Sequence, residues 1–314
     1  MKGSWPNFII PGAGKSGTSS IAYYLSQHPD VFVSTPKEPT FFSYAECPPI
    51  FNSPDAFHEQ IIASKDAYLK LFSEASGHSA VGEASTYYLA LAEQTIENIR
   101  RLVPEYVDIR IPIILRNPVD RAFSNYCMFL MYGWDDETFE RAISSEVVSK
   151  RMSAGWSPSY DYLSEGMYYA KVKAYCDTFR QVRVYLYDDL EKDPAGLMRN
   201  LFEFLGVDPT FEPDVAQRLN SSGLLRSQVL HTLLHTENRL RTIVRHVLRL
   251  ALPARRRAML KQIIDRSNKR RLELSPTARA YLTDIYRDDI TKLMSLIGRD
   301  LTHWLEMPAQ VMPH

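Results

Sequence analysis

Residues 12–20, Gly12-Ala13-Gly14-Lys15-Ser16-Gly17-Thr18-Ser19-Ser20, gather the residue types that hold an anion. Gly12, Gly14 and Gly17 let the backbone turn tightly and present its N–H groups. Lys15, Ser16, Thr18 and Ser19 add side-chain donors. Apolar residues at 21, 22, 24 and 25 follow at helical spacing, so the turn opens a helix whose N-terminal end is partially positive. The chemistry this offers is a cradle for a 5′-phosphate or a sulfate. The plain alternative is a capped turn without a ligand. Two familiar phosphate loops do not fit. A triphosphate loop needs glycine where Ile9 stands, and a dinucleotide loop has no place for Lys15 beside the pyrophosphate.

Positioning such a loop takes a strand before it and a helix after it. Asn7-Phe8-Ile9-Ile10 is a short buried strand feeding the turn, and strand, glycine-rich turn and helix open an α/β unit. Further strands are predicted at Val31–Val33, Ala80–Glu83, Ile109–Leu115 and Val182–Tyr187, with helices near 91–102, 118–132, 167–179 and 194–205. Pro112 argues against a central place for the fourth strand. Strands alternating with helices imply a parallel sheet covered on both faces. The chain after about 212 reads as helical throughout. With no repeat, low-complexity tract or Pro/Gly/Ser-rich linker, we expect one domain over 1–314, an α/β core at 1–211 and a helical extension at 212–314.

The chain has 314 residues, is 45% hydrophobic and carries 37 basic against 37 acidic side chains. This composition excludes collagen-like, coiled-coil and wholly disordered classes. No run of 18 apolar residues and no secretory leader is seen, so no transmembrane segment and a cytoplasmic location are expected. Cys47, Cys127 and Cys176 show neither disulfide nor zinc spacing and fit a reducing compartment. His231 and His235 lack an acidic or cysteine partner, and no metal is expected. The charge balance is uneven. Residues 239–271 hold twelve Lys and Arg against Asp265 alone, leaving 25 basic and 36 acidic residues elsewhere. Apolar residues Leu240, Ile243, Val244, Val247 and Leu248 interleave with Arg241, Arg245 and Arg249, the pattern of an amphipathic basic helix, with a second from Arg255 to about Arg271. Such helices pack on a core or meet an anionic acceptor, an acidic carrier protein or a membrane surface.

Four segments carry a resemblance: Gly14-Lys15-Ser16-Gly17-Thr18-Ser19-Ser20, Pro36-Lys37-Glu38-Pro39-Thr40-Phe41-Phe42, Gly82-Glu83-Ala84-Ser85-Thr86-Tyr87-Tyr88-Leu89, and Leu115-Arg116-Asn117-Pro118-Val119-Asp120-Arg121-Ala122-Phe123-Ser124-Asn125-Tyr126. In this order and spacing they resemble the sulfotransferases that use 3′-phosphoadenosine-5′-phosphosulfate (PAPS), in the branch of the heparan sulfate sulfotransferases and their bacterial relatives. Val184 to Leu190, Asp193-Pro194, Phe204 to Val207 and the stretch Leu296 to Trp304 are also similar to that family.

The resemblance implies a P-loop-like three-layer fold, PAPS as co-substrate and 3′-phosphoadenosine-5′-phosphate (PAP) as product, without a metal. It assigns Gly14, Lys15, Ser16, Gly17, Thr18 and Ser19 to the 5′-phosphosulfate loop, with Lys15 near the bridging oxygen where charge builds as the S–O bond breaks. It assigns Arg116 and Ser124 to the 3′-phosphate, in charge-assisted bonds worth about 1.5–3 kcal/mol each. Tyr187 falls beside the adenine and Arg226 in the region that closes over the 3′-phosphate. Glu38 matches the general base. Two phenylalanines nearby would raise its pKa by desolvation, and Lys37 would oppose that. Arg121 is either a helix-surface charge or support for the site. The heparan branch has a lysine where this chain has Ala84, which weakens transfer of its acceptor. Glu83 is a second carboxylate near the site or a strand-end acid, and His58 and His78 are the histidines in plausible loops. Tyr160, Tyr162, Tyr168 and Tyr169 line an acceptor pocket or belong to the core.

The expected activity is transfer of a sulfuryl group from PAPS to a hydroxyl, in preference to an amine, of a small-molecule, carbohydrate or carrier-bound acceptor. No nucleic-acid partner is implied, and the oligomeric state is left open. A P-loop-type small-molecule kinase and a non-catalytic nucleotide-binding module are the alternatives.

Overall fold

The computed structural model of the chain describes residues 5–55, 57–216, 224–225, 269–270 and 272–306. Five strands, β1 (Phe8–Ile10), β2 (Val31–Val33), β3 (Ala80–Ala84), β4 (Arg110–Leu115) and β5 (Gln181–Leu186), form one sheet in the order β2-β3-β1-β4-β5. Every neighbouring pair is parallel. The main helices are α1 (Thr18–Leu25), α2 (Ala92–Leu102), α3 (Pro118–Tyr132), α4 (Tyr169–Thr178), α5 (Pro194–Leu205) and α6 (Pro276–Ile297).

Strand alternation divides the core into two layers. Phe8, Ile10, Ala84, Ile114 and Tyr185 face one side, against Ile21 and Leu25 of α1 and Leu197, Leu201 and Phe202 of α5. Ile9, Val81, Ile111, Ile113 and Leu115 face the other, against Ile96 and Ile99 of α2, Val119 and Phe129 of α3, Val172 and Tyr175 of α4, and Leu282, Tyr286 and Ile290 of α6. The sheet is therefore buried on both faces, as a parallel sheet requires. This is the three-layer α/β architecture expected from the sequence.

Three helices start alike, with a polar cap followed by proline. Asn117, Asp193 and Ser275 accept from the N–H groups of Val119, Gly196 and Ala278, and Pro118, Pro194 and Pro276 take the first helical position.

Three expectations are corrected. Pro112 lies in an inner strand. Arg110 N donates to Asn7 O and Ile114 O accepts from Ala13 N, both towards β1, so Pro112 costs the one rung between them. The fifth strand ends at Leu186, and Tyr187 opens the short helix Tyr187–Lys192. The region after 212 is not uniformly helical, because Leu224–Leu225 and Lys269–Arg270 pair as antiparallel strands. The rest of the basic segment 239–271 lies outside the described residues.

Candidate active site

β1 and β4 are adjacent although the chain visits the β3 side between them, so their C-terminal ends border a topological switch point, where open α/β sheets bind ligands. The loop Pro11–Gly17 lies there. Ala13 N on Ile114 O fixes its start at 2.9 Å. Lys15 and Gly17 both have left-handed backbone angles, φ 68° and 82°, and Gly17 opens α1. Gly12 is required by contact, since a Cβ would lie 2.1 Å from the Thr18 methyl carbon. At Gly17 an added Cβ would meet Leu190 at 2.6 Å and the Tyr187 ring at 3.1 Å, so the helix after β5 closes on this turn. The Ser16 hydroxyl is buried and has no hydrogen-bond partner among the described residues.

Lys15 Nζ lies 3.4 Å from Met128 Sδ on α3. Burial, then the neighbouring Arg116 charge, lowers its ammonium to about 8, while Cys127 and Glu38 act in the opposite sense. Lys15 therefore feels the charges of both Arg116 and Glu38.

Arg116 leaves the end of β4. Its Nη1 donates to Lys15 O at 3.0 Å, and its guanidinium carbon stands 4.6 Å from the Tyr187 ring centroid. Its carbonyl accepts from the Tyr168 hydroxyl at 3.0 Å. Ser124 is buried on α3, about two turns past the Asn117 cap. Thr18 and Ser19 sit in the first turn of α1. Arg226 lies outside the described residues.

Glu38 reaches the same edge of the sheet from the β2 side. Glu38 N donates to Ala84 O at the end of β3. Its carboxylate takes Lys37 Nζ at 2.5 Å and the Thr86 hydroxyl at 2.9 Å. Burial works to raise this carboxyl, but Lys37 and Thr86 outweigh it, and the group sits below its ordinary value. The pair Lys37–Glu38 thus resolves in favour of a carboxylate that stays ionised. Glu38 and Thr40 both have positive φ, 60° and 56°, a conformation that non-glycine residues keep only when the surroundings impose it.

Glu83, by contrast, is fully buried. Oε1 accepts from the hydroxyls of Tyr88 and, at 3.1 Å, Tyr68, and Oε2 accepts from Ser85 Oγ at 2.7 Å. Burial pushes its carboxyl up to about 7 against the pull of these hydroxyls and of Lys37. It has no surface to offer a substrate. Its Tyr68 partner, fifteen residues earlier in the chain, is not signalled by the local sequence.

Other candidates are buried behind this site or lie away from it. Arg121 is not a surface charge. It is fully buried, with Nη1 2.5 Å from Glu165 Oε2 and Nη2 donating to Tyr162 O. Tyr160, Tyr162 and Tyr168 are core residues and only Tyr169 is partly exposed. His78 precedes β3 at the opposite edge of the sheet, its Nδ1 3.2 Å from Ala75 O. Among the described residues no group of His, Cys, Asp or Glu could hold a metal ion, and no helix is long and apolar enough to cross a membrane.

A second tie was missed by sequence reasoning. The segment after α6 returns to the helix that starts at Tyr187: Trp304 Nε1 donates to Asp188 Oδ2 at 2.7 Å, His303 Nε2 lies 2.9 Å from the same oxygen, and Arg299 pairs with Asp189.

The comparisons with known proteins agree with this layout. The model of the sulfotransferase family matches residues 6–213. The bifunctional heparan sulfate N-deacetylase/N-sulfotransferase 2 of Homo sapiens is 26% identical over 317 residues, covering 97% of this chain and 31% of that protein. The heparan sulfate glucosamine 3-O-sulfotransferase 3B1 of Mus musculus is 25% identical over 205 residues, covering 64% of this chain and 46% of that protein. This chain thus spans less than half the length of either relative. A sulfotransferase from Alicyclobacillus acidocaldarius, known from its crystal structure, is 32% identical and superimposes with a TM-score of 0.74 over 96% of this chain and 100% of that one. On the family match and the shared fold, the chain belongs to the sulfotransferase family.

Proposed function

We propose that the chain transfers a sulfuryl group from PAPS to a hydroxyl, in preference to an amine. The observation that carries this reading is the hydrogen bond from Arg116 Nη1 to Lys15 O, which joins two cationic elements around one cleft. PAPS has anionic groups at both ends of its adenosine and needs two such elements. In this reading Gly14 to Ser19 and the start of α1 hold the 5′-phosphosulfate, with the Ser16 hydroxyl, which has no partner among the described residues, as a donor in the loop. Arg116 and Ser124 hold the 3′-phosphate. Tyr187, already under the Arg116 guanidinium, lies beside the adenine.

The step itself is an in-line displacement. The acceptor oxygen forms its bond to sulfur while its proton passes to the ionised Glu38 carboxylate. The bond from sulfur to the bridging phosphate oxygen breaks, and the electron pair leaves with PAP. The Lys15 ammonium stabilises the charge that develops on that oxygen. A carbohydrate acceptor is supported by the two relatives, whose names specify heparan sulfate.

Calorimetry tests the donor. PAP should bind well above ATP, and Lys15→Ala or Arg116→Ala should abolish the preference. Equal affinity for ATP and PAP would favour a kinase instead. A screen of acceptors with sulfur-labelled PAPS then identifies the second substrate.

A further inference from the structure

We infer that Glu83 is a positioning residue that holds the Glu38 loop in its working conformation, through two hydroxyls whose oxygens receive the main chain of that loop. The inference rests on the role proposed for Glu38. Ser85 Oγ donates to Glu83 and accepts from Thr40 N at 3.0 Å. The Tyr88 hydroxyl donates to Glu83 and accepts from Phe42 N at 3.2 Å. Both N–H groups lie just past Glu38, and Thr40 is one of the two left-handed residues of the loop. Thr86, next after Ser85, donates to the Glu38 carboxylate. One buried carboxylate thus governs the segment that carries the proposed base.

The mechanism is hydrogen-bond direction. Each hydroxyl has one proton. An ionised Glu83 accepts three hydroxyl protons, from Tyr68, Tyr88 and Ser85, and so leaves the lone pairs of Ser85 and Tyr88 for Thr40 N and Phe42 N. A protonated Glu83 becomes a donor. One hydroxyl must then accept from it: at Ser85 or Tyr88 this turns the hydroxyl proton against the N–H donor of Thr40 or Phe42, and at Tyr68 it leaves a buried hydroxyl proton unpaired. The titratable groups facing Glu83 are Tyr68, Tyr88, Tyr175 and Lys37. The three tyrosines are held above their ordinary values by burial, then by Glu83 itself, and remain donors at neutral pH. Glu38 is ionised throughout that range, so of the two carboxylates Glu83 titrates there and sets a rising limb, whereas Lys15, lowered to about 8, loses its proton at the upper end and sets a falling one.

The test uses the full chain, with water standing in for the acceptor. Sulfate release from PAPS is followed between pH 6 and 8, together with amide hydrogen exchange over residues 38–42 and PAP affinity. Wild type should show a rising limb with a midpoint near 7. Glu83→Gln keeps the size of the side chain but replaces one acceptor oxygen with a donor. It should lower release roughly 10- to 100-fold at pH 8, remove the rising limb, speed exchange over 38–42 and leave PAP affinity within about twofold, the anion cradle being untouched. Ser85→Ala breaks one link while leaving Glu83 in place, so it should slow release and keep the limb. It also carries the test if Glu83→Gln fails to fold. A Glu83→Gln protein with the wild-type rate at pH 8, a retained limb, or unchanged exchange over 38–42 would overturn the inference. The exchange measurement needs no substrate, so loss of the PAPS reading and loss of the Glu83 pin are told apart.

Discussion

Arg116 Nη1 donates a 3.0 Å hydrogen bond to the main-chain oxygen of Lys15, a residue 101 positions earlier in the chain. The bond spans the junction of β4 with the β1–α1 loop, and the same guanidinium rests over Tyr187 at the end of β5. One side chain thus registers the ends of three strands against each other.

This gives Arg116 a geometry that lysine does not reproduce. A planar guanidinium bonds Lys15 O with one nitrogen, stacks on Tyr187 and keeps further N–H groups for an anion, whereas an ammonium is a point charge. Arg116→Lys is therefore expected to lower PAP affinity about 10- to 100-fold, on charge-assisted bonds worth roughly 1.5–3 kcal/mol. Titration calorimetry checks it. Wild-type affinity in Arg116→Lys would show that only the charge matters.

Lys15 gives a prediction in proton counting. Its ammonium is lowered to about 8, by burial first and by Arg116 second. Near pH 8 a sizeable fraction of the free enzyme is neutral at this residue. An anion bound beside it favours the charged form and raises its pKa, so binding takes up a proton. The sign for folding is separate. A lysine depressed from its ordinary value binds fewer protons when folded, so stability rises as pH increases from about 8 towards the unfolded value. At pH 8, PAP titrations in buffers of different ionisation enthalpy should report net proton uptake, absent in Lys15→Ala. Zero uptake in wild type would mean that the nucleotide does not approach this ammonium.

For Glu38, turnover and binding should part company. Glu38→Gln keeps the Thr86 contact but cannot take a proton. Turnover should fall by about 10²–10⁴-fold, the range for loss of a general base, while PAP affinity changes little. Since Lys37 holds the carboxyl below its ordinary value, Glu38 should set no limb of the rate profile above pH 6. Lys37→Ala should raise the carboxyl and move its limb upward. Unchanged turnover in Glu38→Gln would place the base elsewhere.

The sequence reveals local structure better than partnership. Phe8-Ile9-Ile10 and the turn after it are legible because a short apolar run and closely spaced glycines are local signals. The helix starts at Asn117, Asp193 and Ser275 are legible for the same reason. Tyr187 reads as strand because the alternation of β5 runs on to it, and the helix that begins there is tied down by contacts from Trp304 and Arg299 more than a hundred residues away. Lys15 and Met128, or Glu83 and Tyr68, meet only because the topology brings their elements together. The tyrosines at 160, 162 and 168 could not be assigned to core or cleft from composition, since a buried tyrosine needs only one polar partner for its hydroxyl. Tyr160 finds Trp134 O, Tyr162 finds Asp135 and Tyr168 finds Arg116 O.

The tail contact is expected to act on binding through Tyr187. Trp304→Phe removes the donor to Asp188 Oδ2 and leaves His303 as its neighbour. A hydrogen bond to a charged group contributes about 1.5–3 kcal/mol. Denaturant unfolding should show a loss of at least the lower end of that range, because Asp188 is partly exposed but trimming the buried indole also leaves a cavity. The KM for PAPS should rise with kcat nearly unchanged, since the helix carrying Tyr187 is loosened while Lys15 and Glu38 keep their contacts. A fall in kcat at constant KM would disconnect the tail from the nucleotide.

The largest stability effect is expected at Asp135. Its carboxylate is fully buried and accepts both Arg151 Nη1 and Nη2, at 2.9 and 2.6 Å, and the Tyr162 hydroxyl at 2.7 Å. Arg151 also lies 5.0 Å from the Trp156 ring centroid and 5.3 Å from that of Tyr160. Asp135→Ala removes the counter-charge and strands a guanidinium in the interior, which costs about 3–5 kcal/mol. Asp135→Asn keeps the shape and one acceptor and should cost less. Replacing both partners, Asp135→Leu with Arg151→Met, should recover much of the loss, because the expense lies in the unpaired charge rather than in the missing bond. Chemical denaturation of the three variants decides it. A double variant no better than Asp135→Ala would mean that the pair is needed for packing in this region and not merely neutralised there.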